Sequence, residues 1–186
     1  MNRASLAFAV LATTFAAAVL HAQTPSRLAP ESAPSTGDVA PPSEPGERLE
    51  VAGTVFAADG KTPVPGASVY VYQTDARGYY RPDDKMGNRD PRLHALLRTD
   101  ERGRYSYRTI RPGSYPETRV VQHIHYEVAA KGHGARIFEI VFEDDPFMSD
   151  EVRRRSAEPG SIYSLKRVTP GAGAGRITQD VVLGRP

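Results

Sequence analysis

The 186-residue chain contains no cysteine and no tryptophan. Without thiols it can build no disulfide framework, zinc ribbon, iron–sulfur cluster or thiol nucleophile. It also lacks an excess of charge of either sign, with 24 basic against 22 acidic groups and a formal net charge of +2 at pH 7. That balance gives no electrostatic basis for binding nucleic acid or an anionic membrane. No convincing helical period runs through it. Long uncharged stretches are scarce too, and the one from Ala4 to Leu20 sits at the start.

That stretch follows Arg3 and precedes the small residue Ala22 and a polar segment. These are the three regions of a secretory signal peptide, so residues 1–22 are expected to be removed after Ala22. The stretch is slightly short for a membrane span and carries Thr13 and Thr14 in its middle, so no stable span is expected after cleavage. The absence of a twin-arginine pair implies export before folding, to a periplasmic or extracellular destination where any metal would be acquired. Taking Arg3 from the 24 basic groups leaves 23 against 22 acidic ones, so the processed chain stays near neutral. Residues 23–48 hold six prolines among Ser, Ala, Glu and Gly, a composition that predicts a disordered, extended tether. Residues 49–186 remain as one folded domain, with enough chain for one core.

Short β-rich runs divided by Gly, Pro and Asp fill that domain. They cover Leu49 to Phe56, Ser68 to Thr74, Arg104 to Ile110, Val120 to Ala130, Arg136 to Phe142 and Ile177 to Leu183. Lys131-Gly132-His133-Gly134 reads as a hairpin connection between two of them. The pattern predicts an all-β fold, an antiparallel β-sandwich of five to eight strands. The stretch from Arg77 to Leu96 is too long for a tight connection and is expected to shape a site.

Within the run Val121-Gln122-His123-Ile124-His125-Tyr126-Glu127-Val128, two histidines stand two residues apart. On a strand, residues i and i+2 face the same side, so both imidazoles point to one place. They would serve as two metal ligands or as two ordinary hydrogen-bonded histidines. Further pieces narrow the choice. Pro63-Val64-Pro65-Gly66-Ala67 is followed by Val71-Tyr72-Gln73-Thr74-Asp75-Ala76-Arg77-Gly78-Tyr79-Tyr80. After Arg98-Thr99-Asp100 comes Arg108-Thr109-Ile110-Arg111-Pro112-Gly113-Ser114-Tyr115-Pro116, then the histidine pair, Val141 to Pro146, and Asp180-Val181-Val182-Leu183.

In this order, the set resembles the catalytic core of the intradiol ring-cleavage dioxygenases, the group of protocatechuate and catechol dioxygenases. The resemblance implies a non-haem Fe(III) held by Tyr80, Tyr115, His123 and His125. It also implies an ortho-dihydroxy aromatic and O₂ as substrates and a cis,cis-muconate-type diacid as product. It selects Tyr80 over its neighbour Tyr79, which strand register cannot do in a loop. It makes Tyr115 the ligand that substrate displaces. Phenolate oxygens suit a hard, highly charged cation, and a bound metal lets a phenol of pKa ~10 bind deprotonated at neutral pH.

Two positions depart from the family pattern. An arginine expected three residues before the first histidine is replaced by Val120, with Arg119 one earlier. A one-residue shift on a strand reverses side-chain direction, so Arg119 takes up the catalytic role there only if the loop end reorients it. A pocket glutamine of the family is Glu139 here, and its anionic side chain would oppose a dianionic catecholate unless paired or protonated. Two other functions stay open at this level. One is a two-histidine, one-carboxylate Fe(II) oxygenase using Glu127 or Glu139. The other is a secreted, non-catalytic ligand-binding sandwich. A homo-oligomer is left open as well.

Overall fold

In the computed structural model, residues 23–82 and 90–186 are described, and the expected signal segment 1–22 lies outside them. Among the described residues ten strands and one short helix follow in chain order. They are β1 (Thr36–Asp38), β2 (Arg48–Phe56), β3 (Ser68–Gln73), β4 (Leu93–Arg98), β5 (Arg104–Ile110), β6 (His123–Ala129) and β7 (Arg136–Phe142), then α1 (Asp150–Ser156), β8 (Tyr163–Lys166), β9 (Gly175–Thr178) and β10 (Val181–Val182). Strands β1-β5-β2-β10, with β9 also on β2, form one sheet, and β4-β3-β6-β7-β8 form the other. The expected β-sandwich is present, and its central pairs β2–β5, β3–β4, β3–β6 and β6–β7 are antiparallel. The outer pairs β1–β5, β2–β9, β2–β10 and β7–β8 are parallel, so the sheets are mixed.

Alternation along β3 and β6 builds the core. Val69 and Val71 on β3, with Ile124, Tyr126 and Val128 on β6, point inward. They meet Leu49, Val51 and Val55 of β2 and Tyr105, Tyr107 and Ile110 of β5. The buried phenols are satisfied in place: Tyr107 and Tyr126 share a 2.5 Å hydrogen bond, and Tyr105 donates to the Gln179 carbonyl at 2.7 Å. The alternate residues of the same strands, Tyr70 and Tyr72 on β3 and His123, His125 and Glu127 on β6, face away from the other sheet, where the site is built.

Residues 23–48 are not the tether that their composition predicts. They run along the domain and contribute β1 to a sheet edge, with Ala29, Val39 and Ala40 buried. Their backbone groups find tertiary partners: Arg98 donates to the carbonyls of Ala29 and Pro30 at 2.9 Å, and Ala29 N donates to Ser68 Oγ at 2.8 Å. Ser26 donates through its N–H and its hydroxyl to the buried Glu127 carboxylate, the hydroxyl at 2.9 Å. The segment folds because the sandwich supplies the apolar face and hydrogen bonds it cannot supply itself. Strand β4 emerges from the far end of the long connection Arg77 to Leu96, though it carries no β-branched residue. Its register against β3 overrides its weak strand propensity. Among the described residues no helix is long and apolar enough to cross a membrane.

Candidate metal centre

Two loops bring the tyrosines over the outward face of β6. The loop after β3 is wound around Asp75, whose carboxylate accepts from Arg77 N and Tyr79 N at 2.9 and 3.0 Å. Its backbone carbonyl accepts from Gly113 N at 2.8 Å, and Thr74 Oγ1 donates to the Gly113 carbonyl at 2.8 Å. These bonds tie the Tyr80 loop to the Tyr115 loop. The backbones meet so closely that side chains are excluded. A Cβ on Gly78, whose φ is +90°, would lie 1.9 Å from the Ser114 carbonyl oxygen. One on Gly113 would lie 2.5 Å from the Ala76 oxygen.

After Tyr115 the chain turns back over Pro116 and Glu117, closed by Thr118 N donating to the Tyr115 carbonyl at 3.2 Å. Glu117 has φ +59°, a left-handed conformation that suits glycine far better. Replacing Glu117 by glycine is therefore expected to raise stability by about 1 kcal/mol in thermal or denaturant unfolding, relief of strain exceeding added chain entropy. The start of β6 is fixed by Arg111, which donates to Gln122 Oε1 at 2.8 Å and to Asp144 at 2.7 and 3.0 Å, and by Asp145, which accepts from Gln122 N at 2.7 Å.

On this scaffold four side-chain atoms form a continuous chain. His123 Nε2 lies 3.0 Å from the Tyr115 hydroxyl, that hydroxyl 2.6 Å from the Tyr80 hydroxyl, and the latter 2.7 Å from His125 Nε2. His123 Nδ1–H donates to the Val121 carbonyl at 2.7 Å, so its Nε2 is the free acceptor. His125 is stacked on Tyr72 at 4.3 Å with 12° between the planes, and its Nδ1 lies 3.4 Å from Glu139 Oε1. Burial disfavours charge throughout. It raises the pKa of the Tyr80 phenol, with the Tyr115 hydrogen bond adding to it, and it raises that of Tyr115. It lowers that of His125 to about 3, with the neighbouring His123 adding to it. Burial also pushes the Glu139 carboxyl up, against the opposing pull of His123.

This donor set fits a hard, highly charged cation. Neighbouring ligands held about 2 Å from one ion at right angles sit roughly 2.9 Å apart, the spacing of this chain. The ion would supply the positive charge that buried phenols need to ionise. His123, His125 and Glu139 also have ligand atoms within 4.8 Å of one another. Glu139, however, addresses Nδ1 of His125, the nitrogen opposite the one facing Tyr80, and one ring cannot turn both nitrogens to the same ion. Glu127 is taken up by Ser26.

Of the five residues singled out from the sequence, Tyr80, Tyr115, His123 and His125 come together. Arg119 does not join them, for it lies on the loop beyond the Thr118 turn with its guanidinium 5.5 Å above the Phe147 ring. Val120, in the family's arginine position, is 41% exposed. Tyr79 packs beneath Arg77, outside the chain. Tyr72, which nothing local in the sequence marks out, is the platform for His125. Alternation places it on the right face, but only the pairing of β3 with β6 shows which histidine it covers.

Two tyrosines and two histidines thus converge on the outward face of one sheet of a β-sandwich as a candidate metal site. The family model described as Dioxygenase matches residues 26–184. The chain belongs to the intradiol ring-cleavage dioxygenase family. It is 31% identical over 144 residues to catechol 1,2-dioxygenase of Acinetobacter baylyi, covering 68% of this chain and 46% of that one. It is 31% identical over 156 residues to the protocatechuate 3,4-dioxygenase beta chain of Burkholderia cepacia, covering 75% and 66%. The solved catechol 1,2-dioxygenase from Acinetobacter sp. ADP1 superposes with a TM-score of 0.63 at 25% identity, over 82% of this chain and 59% of that one. The dioxygenase domain of a dioxygenase carbohydrate-binding protein fusion from Streptomyces sp. SirexAA-E shares the fold, with a TM-score of 0.63 over 89% and 98%. The chain spans about half the length of the catechol and hydroxyquinol dioxygenases it matches.

Proposed function

We propose that the protein is an Fe(III)-dependent dioxygenase that cleaves a catechol-type aromatic between its two hydroxylated carbons, using O₂ and yielding a cis,cis-muconate-type diacid. It would act outside the cytoplasm, as the signal-like character of residues 1–22 supports. The observation that carries this reading is the unbroken run of 2.6–3.0 Å contacts from His123 through Tyr115 and Tyr80 to His125. Tyr80, Tyr115, His123 and His125 would hold the ion. When bound, ferric iron would supply Lewis acidity, drawing electron density from a chelated aromatic ring and opening that ring to O₂.

The two tyrosines are not equivalent. Tyr80 is 2% exposed and packed beside Tyr72, so it anchors the site. Tyr115 is only partly buried and on a loop, which supports its oxygen as the one that would swing out and accept a phenolic proton from the substrate. His123 and His125 turn their Nε2 atoms to the site. Arg119 is turned to Phe147 and so is not the group that would offset substrate charge there.

Iron-loaded protein is expected to show a visible tyrosinate-to-iron charge-transfer band and catechol-dependent O₂ uptake. Tyr80→Phe is expected to abolish the band and cut turnover by at least a hundredfold. A colourless protein active only with ferrous iron would support the two-histidine, one-carboxylate alternative instead.

A further inference from the structure

We propose that the open end of the sandwich holds a second binding site, in which Arg136 takes the carboxylate of an organic acid whose apolar body lies against Phe138. The site does not depend on the metal-centre reading. Arg136 and Phe138 share a parity on β7, opposite Val128 and Tyr126 of β6, so they face the space between the sheets. Glu139 and His125 pair in the alternate positions and face the other way. A cavity of about 1270 Å³ opens around Arg136 and Phe138, between the edge of β7 and β8 and the last strand. Ordinary small-molecule sites occupy roughly 300–1,000 Å³, so there is room for an acid with a ring. Val181 and Leu183 contribute apolar wall, and Ser164 and Gln179 line it already bonded to each other at 2.7 Å.

The charge of Arg136 is what points to a ligand. Among the described residues it has no carboxylate partner: its guanidinium donates to the Ser161 carbonyl and stands 5.6 Å from the Phe138 ring. Other half-buried arginines are used up by the fold. Arg98 donates to the carbonyls of Ala29, Pro30 and Gly66, and Arg111 to Asp144 and Gln122. The bond to Asp144 raises the Arg111 pKa, whereas burial alone lowers that of Arg136. Among the described residues no fully buried side-chain nitrogen lacks a partner, so the unused N–H donors of Arg136 are open to the cavity. The acids on the cavity wall are already engaged: Asp180 accepts from Thr54 N at 2.8 Å, and Glu158 pairs with Arg154 at 2.9 Å. A cation with spare donors beside an aromatic wall suits one anionic group joined to an apolar body. A carboxylate presents two oxygens to the guanidinium fork, and a ring attached to it would cover Phe138. An uncompensated charge held out of water costs stability, a cost that a binding residue tolerates and a structural one does not require.

Benzoate is the probe, with neutral benzamide as its control. On the full chain, backbone amide NMR shifts at residues 136–138, 164 and 181–183 are expected to saturate with benzoate, and benzamide to bind there at least about tenfold more weakly. Arg136→Met is expected to weaken benzoate binding by at least about tenfold and to melt no lower than the wild type, since it removes an uncompensated charge. Benzoate should accordingly raise the melting temperature of the wild type and leave that of the variant unmoved. Shifts confined to the strand around His123 and His125 would overturn the inference, as would benzamide binding as tightly as benzoate. An Arg136→Met protein that melts well below the wild type, or does not fold, would assign the arginine to the fold and overturn it too. Failure of the wild type to bind iron defeats the functional reading and leaves this measurement intact.

Discussion

Gly78→Ala is expected to disrupt the candidate metal centre, with loss of the proposed charge-transfer band and a stability loss of at least about 3 kcal/mol. Its Cβ would stand 1.9 Å from the Ser114 carbonyl oxygen, so the loops carrying Tyr80 and Tyr115 would have to part. Left-handed backbone at a residue with a Cβ costs about 1–2 kcal/mol, and overpacking about 1–3 kcal/mol more. Gly60→Ala is the matched control. Gly60 has φ +67°, but its added Cβ meets nothing within 4 Å, so it bears the backbone strain without the clash. Visible spectra and unfolding curves of the two variants separate the effects. A Gly78→Ala protein that binds iron like the Gly60→Ala protein would show that the loops are not held by this approach.

Deleting residues 23–40 is expected to destabilise the domain by about 4 kcal/mol or more, a large part of the 5–15 kcal/mol typical of such domains. The deletion uncovers the partners of Ala29, Val39 and Ala40 and leaves the Glu127 carboxylate without its Ser26 donors. Buried apolar area contributes roughly 25 cal/mol per Å², and each hydrogen bond lost from a carboxylate about 1.5–3 kcal/mol. Denaturant unfolding of the shortened chain tests this. An unchanged midpoint would mean that the segment behaves as the tether its composition suggests.

These two cases mark where the sequence is legible. The histidine pair could be read from alternation because its periodicity is local. Tyr80 and Tyr115 could be named only through the family resemblance, since nothing local distinguishes Tyr80 from Tyr79. Residues 23–48 read wrongly because their order comes from Arg98, Ser68 and Glu127, which lie far along the chain. Strand β4 was hidden in the same way, by a composition that only pairing with β3 makes extended. Arg119 was placed by its position before β6, yet the turn at Glu117 and the ring of Phe147 decide where it goes. Glu139 reads from the sequence as an obstacle to substrate. Only the register of β7 on β6 shows that it stands opposite His125.

Strands β3 and β6 divide their work by parity. Val69, Val71, Ile124 and Val128 serve the interior, while Tyr72, His123 and His125 line the candidate site on the opposite face. The interior of this protein is therefore open to hardening by volume-conserving swaps without altering what its outer face binds. A natural lineage could likewise drift in one set of positions while holding the other still.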